Sequence, residues 1–513
     1  MVRISIDSKK TIGTVSPELH SQFIEFLGDC IYGGIWVGPD SEIPNIRGIR
    51  KDAVEALKEA APPVIRWPGG CYADTYHWRD GIGDPEKRPV TYNENFGTYE
   101  EDSNAFGTDE FMLLCELVGA RPWLNVNMMT GTPAEMREWM EYCNRDAGTA
   151  AATERAENGH PLPYRAELWG IGNEMWGGGG NCTPESYIRE YRRFASAAPS
   201  FVRLEDGRPV RGLQIRKILS GADGNKKRER VLWTKGVFEE LAKFRTPPFD
   251  GMDLHFYNWN VPADLHSELV FDEAEWDSCI AGCLELEEVL QEQYGLIQEG
   301  LAGLPGPETD LFPFRKPHCD LIIGEWGNWH GAAFRNRPAL YQQCCMRDAV
   351  TTALTLNLLQ RNCDKVTMAC AAQTFNVLNS LFLTDGDVLI RTPNFDVFRM
   401  YREERGGEAV EVKEAPEEKV FAQAVKKDGK LFVNLVNASM TEEKEVVLAL
   451  SGYEAEASEI LCSDDVHACN TKEKPDRVRR TAGTLPEKTP EGFAAKLPPA
   501  SVQVLVFGEK EAE

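Results

Sequence analysis

Two glutamates in this chain stand in the same local setting. Glu174 closes the apolar run AELWGIGNE (166–174), and Glu325 lies in CDLIIGEWGN (319–328); Trp and then Gly follow Glu325 directly and Glu174 after one intervening Met. Paired carboxyls of this kind suit glycosidic cleavage, which needs one protonated carboxyl and one ionised carboxylate facing the scissile bond. Their surroundings must then push the two pKa values apart. Other polar residues end or punctuate similar runs: Glu25, Arg66, Asn127, Asn173, His255, Tyr257 and Gln373. A buried polar group needs a partner. One such residue would read as a satisfied structural group, whereas seven positions converging on one face point to a site. Trp67, Trp176, Trp326 and Trp329 offer flat apolar faces on which sugar rings stack, although each alone would read as packing. Metal chemistry is the rival reading. Only eight histidines occur, with no HxH or HExxH spacing, and His77, His255 and His330 would have to converge in space. No metal and no cofactor is expected.

Positioning these groups requires a repeated scaffold. Eight short apolar runs follow one another at 21–28, 63–70, 121–127, 166–174, 216–223, 249–258, 319–328 and 364–375. Amphipathic stretches at 51–60, 108–119, 133–144, 184–197, 227–244, 272–295 and 339–360 alternate with them, several opening after Thr or Asp as helix caps do. This alternation predicts a (β/α)8 barrel over 20–385, an α/β fold whose strand ends carry the active site. A doubly wound sheet is the alternative, but no GxGxxG or GxxxxGK[ST] turn is present. From 386 to 513 the pattern changes to apolar/polar alternation around a Lys-Asp-Gly turn, which predicts a C-terminal antiparallel β-sandwich. Residues 1–19, with MVRISID alternating, are expected to add a strand to that sandwich. The polar stretch 463–495 reads as a long loop.

Along nearly its whole length the chain resembles the α-L-arabinofuranosidases of glycoside hydrolase family 51. The resemblance rests on FIEFLGDCIYGGIWV (23–37), VIRWPGGCYADTYHWRDGIG (64–83), FGTDEFMLLCELVGARPWLNVN (106–127), GTPAEMREWMEYCN (131–144), LWGIGNEMWG (168–177), LHFYNW (254–259), IGEWGNWH (323–330) and AAQTFNVLNS (371–380). It implies a barrel followed by a β-sandwich and a retaining mechanism, with Glu174 as acid/base and Glu325 as nucleophile. It also implies sugar contacts from Glu25, Asn173, Tyr257, Gln373 and Cys71, and recognition by Trp329. Arg66 and Tyr257 would keep the nucleophile ionised. His255 joins the substrate-binding set by its place on the sixth run. Two departures stand out. Gly324 occupies a position where members commonly have Asp, and Cys71 one where some have Asn; a thiol is the weaker hydrogen-bonding group. The acidic, aromatic stretch 85–107 reads as a loop shaping the leaving-group side.

The implied activity is exo-hydrolysis of terminal α-L-arabinofuranosyl units from arabinose-containing oligosaccharides. An endo-acting β-glucan or xylan hydrolase on the same site, or a non-catalytic sugar-binding protein, are the alternatives. Lys plus Arg number 56 and Asp plus Glu 81, a net charge of −25 that disfavours nucleic acid and anionic membranes as partners. No apolar run approaches the ~18 residues of a membrane span. The N-terminus has no secretory h-region, and 14 scattered cysteines without CxxC read as reduced thiols, so a cytoplasmic location is expected. The resemblance implies a homo-oligomer, often a hexamer.

Overall fold

The computed structural model describes residues 1–146, 148–260, 268–305 and 318–510. Its centre is a closed parallel barrel of eight strands. They are β1 (Ser21–Phe23), β2 (Val64–Trp67), β3 (Arg121–Val126), β4 (Leu168–Ile171), β5 (Arg216–Asp223), β6 (Gly251–Asn260), β7 (Asp320–His330) and β8 (Val366–Ala372). Each overlaps one of the eight apolar runs, β6 and β7 extending two residues past theirs, and β8 pairs with β1 to close the ring. Strands buried on both faces need no alternation, which is why continuous apolar text marked them.

Helices separate the strands in the expected order. Those at Lys51–Ala60, Pro133–Asn144 and Pro184–Ala197 have the predicted limits. Thr132 and Thr183 cap the latter two, each followed by Pro at the first helical turn. Two helices differ from expectation. The one predicted to end at 295 runs Glu273–Gly303. The one expected from 339 begins at Met346, because Asp348 Oδ2 accepts from the Cys345 backbone N–H at 2.9 Å and fixes the first turn there. Pro393–Met400 forms a further helix, packed between Lys51–Ala60 and Met346–Arg361.

The C-terminal region builds one ten-stranded sheet. Phe493 and Phe507 lie on strands six places apart in the sheet order, yet their ring centroids are 5.0 Å apart. The sheet therefore folds over on itself and encloses an apolar core of its own. The N-terminal strand Val2–Thr14 sits inside it, antiparallel to Glu408–Lys413 and parallel to Lys444–Ala449, the one parallel pair in a set of otherwise antiparallel neighbours. The stretch read as a loop at 463–495 is not wholly irregular. Thr481–Ala482 and Glu487–Thr489 pair at the two edges of the sheet, and Gly492–Leu497 is a full strand. Short, charged edge strands leave little apolar alternation to read.

Candidate active site

Alternation along β6 sends Asp253, His255 and Tyr257 to one side, into the barrel. On β7 the same side is reached by Glu325 only because of a bulge. Leu254 pairs with Ile323 and His255 with Glu325, so Gly324 is an extra residue. Without it the alternation set by Ile322 opposite Asp253 would turn Glu325 outward. Beyond the bulge Glu325 and Trp329 face inward, while Trp326 faces out and stacks on Phe398 at 6.1 Å.

Glu325 is buried and fully engaged. Arg66 Nη1 donates to its Oε1 at 2.6 Å and the Tyr257 hydroxyl donates to its Oε2 at 2.7 Å. Arg66 Nη2 donates to Asn173 Oδ1 at 2.7 Å, so one guanidinium on β2 ties β4 to β7. Burial pushes the Glu325 pKa up, but His255 and Arg66 outweigh it and hold the carboxyl below its usual range. This is the environment of a carboxylate kept ionised.

Glu174 follows β4 in a turn that places it at φ 39°, a left-handed conformation that costs a non-glycine residue roughly 1 kcal/mol or more. Its Oε1 lies 2.9 Å from His255 Nδ1, and Cys71 Sγ lies 3.6 Å from its Oε2. The ligand atoms of Glu174, His255 and Glu325 all lie within 4.8 Å of one another. Such a trio could hold a cation. Arg66 and Tyr257 already donate to Glu325, however, and His255, despite its burial, is driven up to about 10 by Glu325 and Asp253.

Glu25 forms the opposite wall. Gln373 Nε2 donates to its Oε2 at 2.6 Å, and the Gly70 N–H and Asn95 Nδ2 donate to its Oε1 at 3.0 and 3.1 Å. Burial and the nearby Glu325 charge raise it to about 7. Trp329 is braced by Trp259, parallel at 4.5 Å, and by Tyr257, edge-on at 5.1 Å. Phe96, from the 85–107 segment, meets it at 5.8 Å, and that segment folds over the pocket as the paired strands Thr91–Asn93 and Glu100–Asp102.

The structure thus brings together Glu25, Arg66, Cys71, Asn173, Glu174, His255, Tyr257, Glu325, Trp329 and Gln373. It separates others. Trp67 is fully buried and stacked on Phe111 at 4.9 Å, and Trp326 is in the core, so neither offers a face to a sugar; both lie on the barrel's outer side, under the helices. Asn127 Nδ2 donates to the Tyr76 carbonyl and to Thr130, holding a loop. The three histidines do not converge: His77 pairs with Glu135, and His330 with Asp348. Three polar residues of the site were not anticipated. Asn95 lay in text read only as a loop. Asp74 is three residues beyond Cys71 and is buried beside Glu174. Asp253 precedes His255 by two, and strand periodicity alone would have placed them together.

Known proteins resemble this chain along most of its length. Residues 56–273 match the α-L-arabinofuranosidase 1 domain and residues 324–501 the α-L-arabinofuranosidase C-terminal domain. An intracellular exo-α-L-arabinofuranosidase of Bacteroides ovatus is 34% identical, covering 93% of this chain and 90% of that protein. The crystal structure of the family 51 arabinofuranosidase from Xanthomonas axonopodis pv. citri superposes with a TM-score of 0.87 at 32% identity, over 98% of this chain and 99% of that one. That of an α-L-arabinofuranosidase from Thermotoga maritima, in complex with arabinose, gives 0.81 at 28% identity over 99% of both chains. A chain so similar from end to end, with the same barrel and sheet, belongs to the α-L-arabinofuranosidases of glycoside hydrolase family 51.

Proposed function

We propose that this protein is a retaining exo-glycosidase that removes terminal α-L-arabinofuranosyl units from arabinose-containing oligosaccharides, with Glu325 as nucleophile and Glu174 as acid/base. One observation carries the reading of retention: a carboxylate oxygen of Glu174 and one of Glu325 lie within 4.8 Å. Retaining enzymes hold their carboxyl groups about 5–5.5 Å apart, whereas inverting ones leave about 6.5–9.5 Å for a water. Glu325 Oε attacks the anomeric carbon as Glu174 gives its proton to the departing oxygen. Glu174 then takes a proton from water, and that water releases arabinose from Glu325. Arg66 and Tyr257 steady the charge on Glu325 before it attacks and again as it departs. Glu25, Gln373, Asn173 and Cys71 meet the sugar hydroxyls, with His255 between the two glutamates and Trp329 as the apolar wall.

The proposal includes an intracellular setting, supported by the name of the Bacteroides ovatus relative. It includes a homo-oligomer, a hexamer, which light scattering on the purified protein would test. It also divides the chain into a catalytic barrel over 20–385 and a sheet domain over 386–513 joined by residues 1–19. The deciding experiment is a panel of nitrophenyl glycosides with wild type and Glu325→Ala side by side. The expected result is release from the α-L-arabinofuranoside by wild type alone, with azide restoring turnover of the variant to a product of inverted configuration. Cleavage within β-glucan or xylan chains, or binding of arabino-oligosaccharides without hydrolysis, would overturn it.

A further inference from the structure

Asp253 has no role in the chemistry above, yet it is buried in the floor of the pocket. It stands two residues before His255 on β6, so both side chains leave the same face. Its Oδ2 is 3.3 Å from His255 Nε2, and its Oδ1 accepts from the Gly221 N–H at 3.1 Å. The other ring nitrogen, Nδ1, is 2.9 Å from Glu174 Oε1 and 3.5 Å from Glu325 Oε1. Asp253 also fills a particular space. A Cβ on Gly324 would lie 2.6 Å from Asp253 Oδ2 and 2.9 Å from His255 Nε2. The bulge residue of β7 must lack a side chain for this carboxylate to be where it is.

We propose that Asp253 is a positioning residue: by holding His255 Nε2–H it fixes the ring so that a cationic Nδ1–H sits between Glu174 and Glu325. The inference rests on the retaining reading above. An ionised carboxylate has no proton to give, so the nitrogen facing it must be the donor. Nδ1 then faces two carboxyls. In the first step Glu174 is protonated and Nδ1–H leans towards the Glu325 charge. In the second, Nδ1–H stabilises Glu174 as a carboxylate while it accepts the proton of water. Without Asp253 the ring is free to present a lone pair to Glu174 instead. The charges facing His255 are Glu174 after β4, Asp223 on β5, Asp253 on β6 and Glu325 on β7, with Arg66 on β2 reaching Glu325 from the other side. Burial opposes charge on Asp253, but His255 and Arg66 outweigh it and hold the carboxyl below its usual range.

Asp253→Asn keeps the shape and removes the charge. On nitrophenyl α-L-arabinofuranoside it should lower kcat about 10- to 100-fold, the range seen when a supporting partner of a working side chain is lost, with KM changed less than about threefold. The acidic limb of kcat/KM should move up by about one pH unit, since Glu325 loses part of its cationic support. Asp253→Ser/Gly324→Asp returns a carboxylate to the same space from the neighbouring strand. It should recover most of the lost kcat and the original acidic limb. Wild-type pH limbs in Asp253→Asn, or a folded double variant that keeps the Asn profile, would overturn the inference. Should Asp253→Asn not fold, 15N-histidine NMR of the wild type decides, with His255→Gln to assign the signal. An imidazolium persisting to pH 8 is expected, and a neutral ring at pH 7 overturns the inference. If wild type hydrolyses no arabinofuranoside, the functional reading fails, and the difference in the His255 titration between wild type and Asp253→Asn still tests the Asp253–His255 link on its own.

Discussion

The Glu25 and Glu325 carboxyls lie close enough across the pocket that they cannot both ionise without cost, because each raises the expense of charging the other in a buried setting. Arg66 and His255 favour Glu325, so Glu25 is the one displaced, to about 7. A carboxyl whose folded pKa is raised contributes stability that is complete below its unfolded value and is lost as pH rises through the folded one. The window here runs from about 4.5 to about 7. At about 1.4 kcal/mol per unit, the loss is on the order of 3 kcal/mol. Glu25→Gln keeps an acceptor for Gln373 and removes the titration. Its melting temperature should rise relative to wild type between pH 5 and pH 8, in paired thermal scans, while its kcat/KM falls; an unchanged difference across that range refutes the assignment. Cys71 makes the opposite case. Burial and the nearby Glu174 charge push its thiol well above 9, so it meets Glu174 as a neutral, weak donor. Cys71→Ala should therefore cost less than about 1 kcal/mol, no more than about fivefold in kcat/KM, measured with a poor leaving group. These two residues differ in how far they were legible. Glu25 interrupts an apolar run, a signal any strand count detects. Cys71 sits in a turn and was reached only through the resemblance, because no periodicity marks a residue outside a strand.

At the scale of elements, the eight strands were readable because parallel barrel strands are apolar throughout, and the helices because their caps and periodicity are local. What was not readable is how two elements are aimed. The β7 bulge at Gly324 reverses the alternation, and nothing in the text GEWG distinguishes an extra residue from a regular one. The turn after β4 is the other case. In LWGIGNEMWGGGG the four glycines suggest a loop with freedom, but they are not equivalent. A Cβ on Gly179 would stand 1.9 Å from the Asn173 carbonyl oxygen, so the backbone itself would have to move. On Gly177 the nearest atom would be 3.8 Å away, ordinary contact distance. Gly179→Ala should thus displace Asn173 and Glu174 and lower kcat/KM by roughly 100-fold, the scale associated with a misplacement of about 1 Å. Gly177→Ala should stay within about threefold. Steady-state kinetics on the two variants separates a turn that is fixed by close approach from one that is merely flexible; equal losses would show the latter.

At the scale of the molecule, the barrel and the sheet meet across the helix Met346–Arg361, which is buried along almost its whole length. A helix covered on all sides should be apolar all round. This one instead carries Arg347, Asp348, Thr351, Asn357 and Gln360, each of which needs a buried partner. That mixture blurred its start in the sequence, since residues 339–345 share its composition. The partner of Gln360 is Glu404, which precedes the first strand of the C-terminal sheet. Gln360 Nε2 and Asn434 Nδ2 donate to Glu404 Oε2 at 2.7 and 2.8 Å, joining helix, connection and sheet at one carboxyl. Burial raises Glu404 to about 8, against the pull of both amides. By the same sign rule as for Glu25, its contribution to stability is whole below about 4.5 and is lost as pH climbs to about 8. The size, at about 1.4 kcal/mol per unit, is on the order of 3–5 kcal/mol. The loss falls on the junction rather than on the pocket, so activity and stability should part company. Above pH 8 the wild type should melt at a lower temperature than at pH 6. Glu404→Gln should flatten that dependence and leave KM and the pH profile of kcat unaltered at moderate temperature. A wild-type melting temperature that is level from pH 6 to pH 9, or a Glu404→Gln variant that still follows the wild-type slope, would show that this carboxyl does not govern how the two parts hold together.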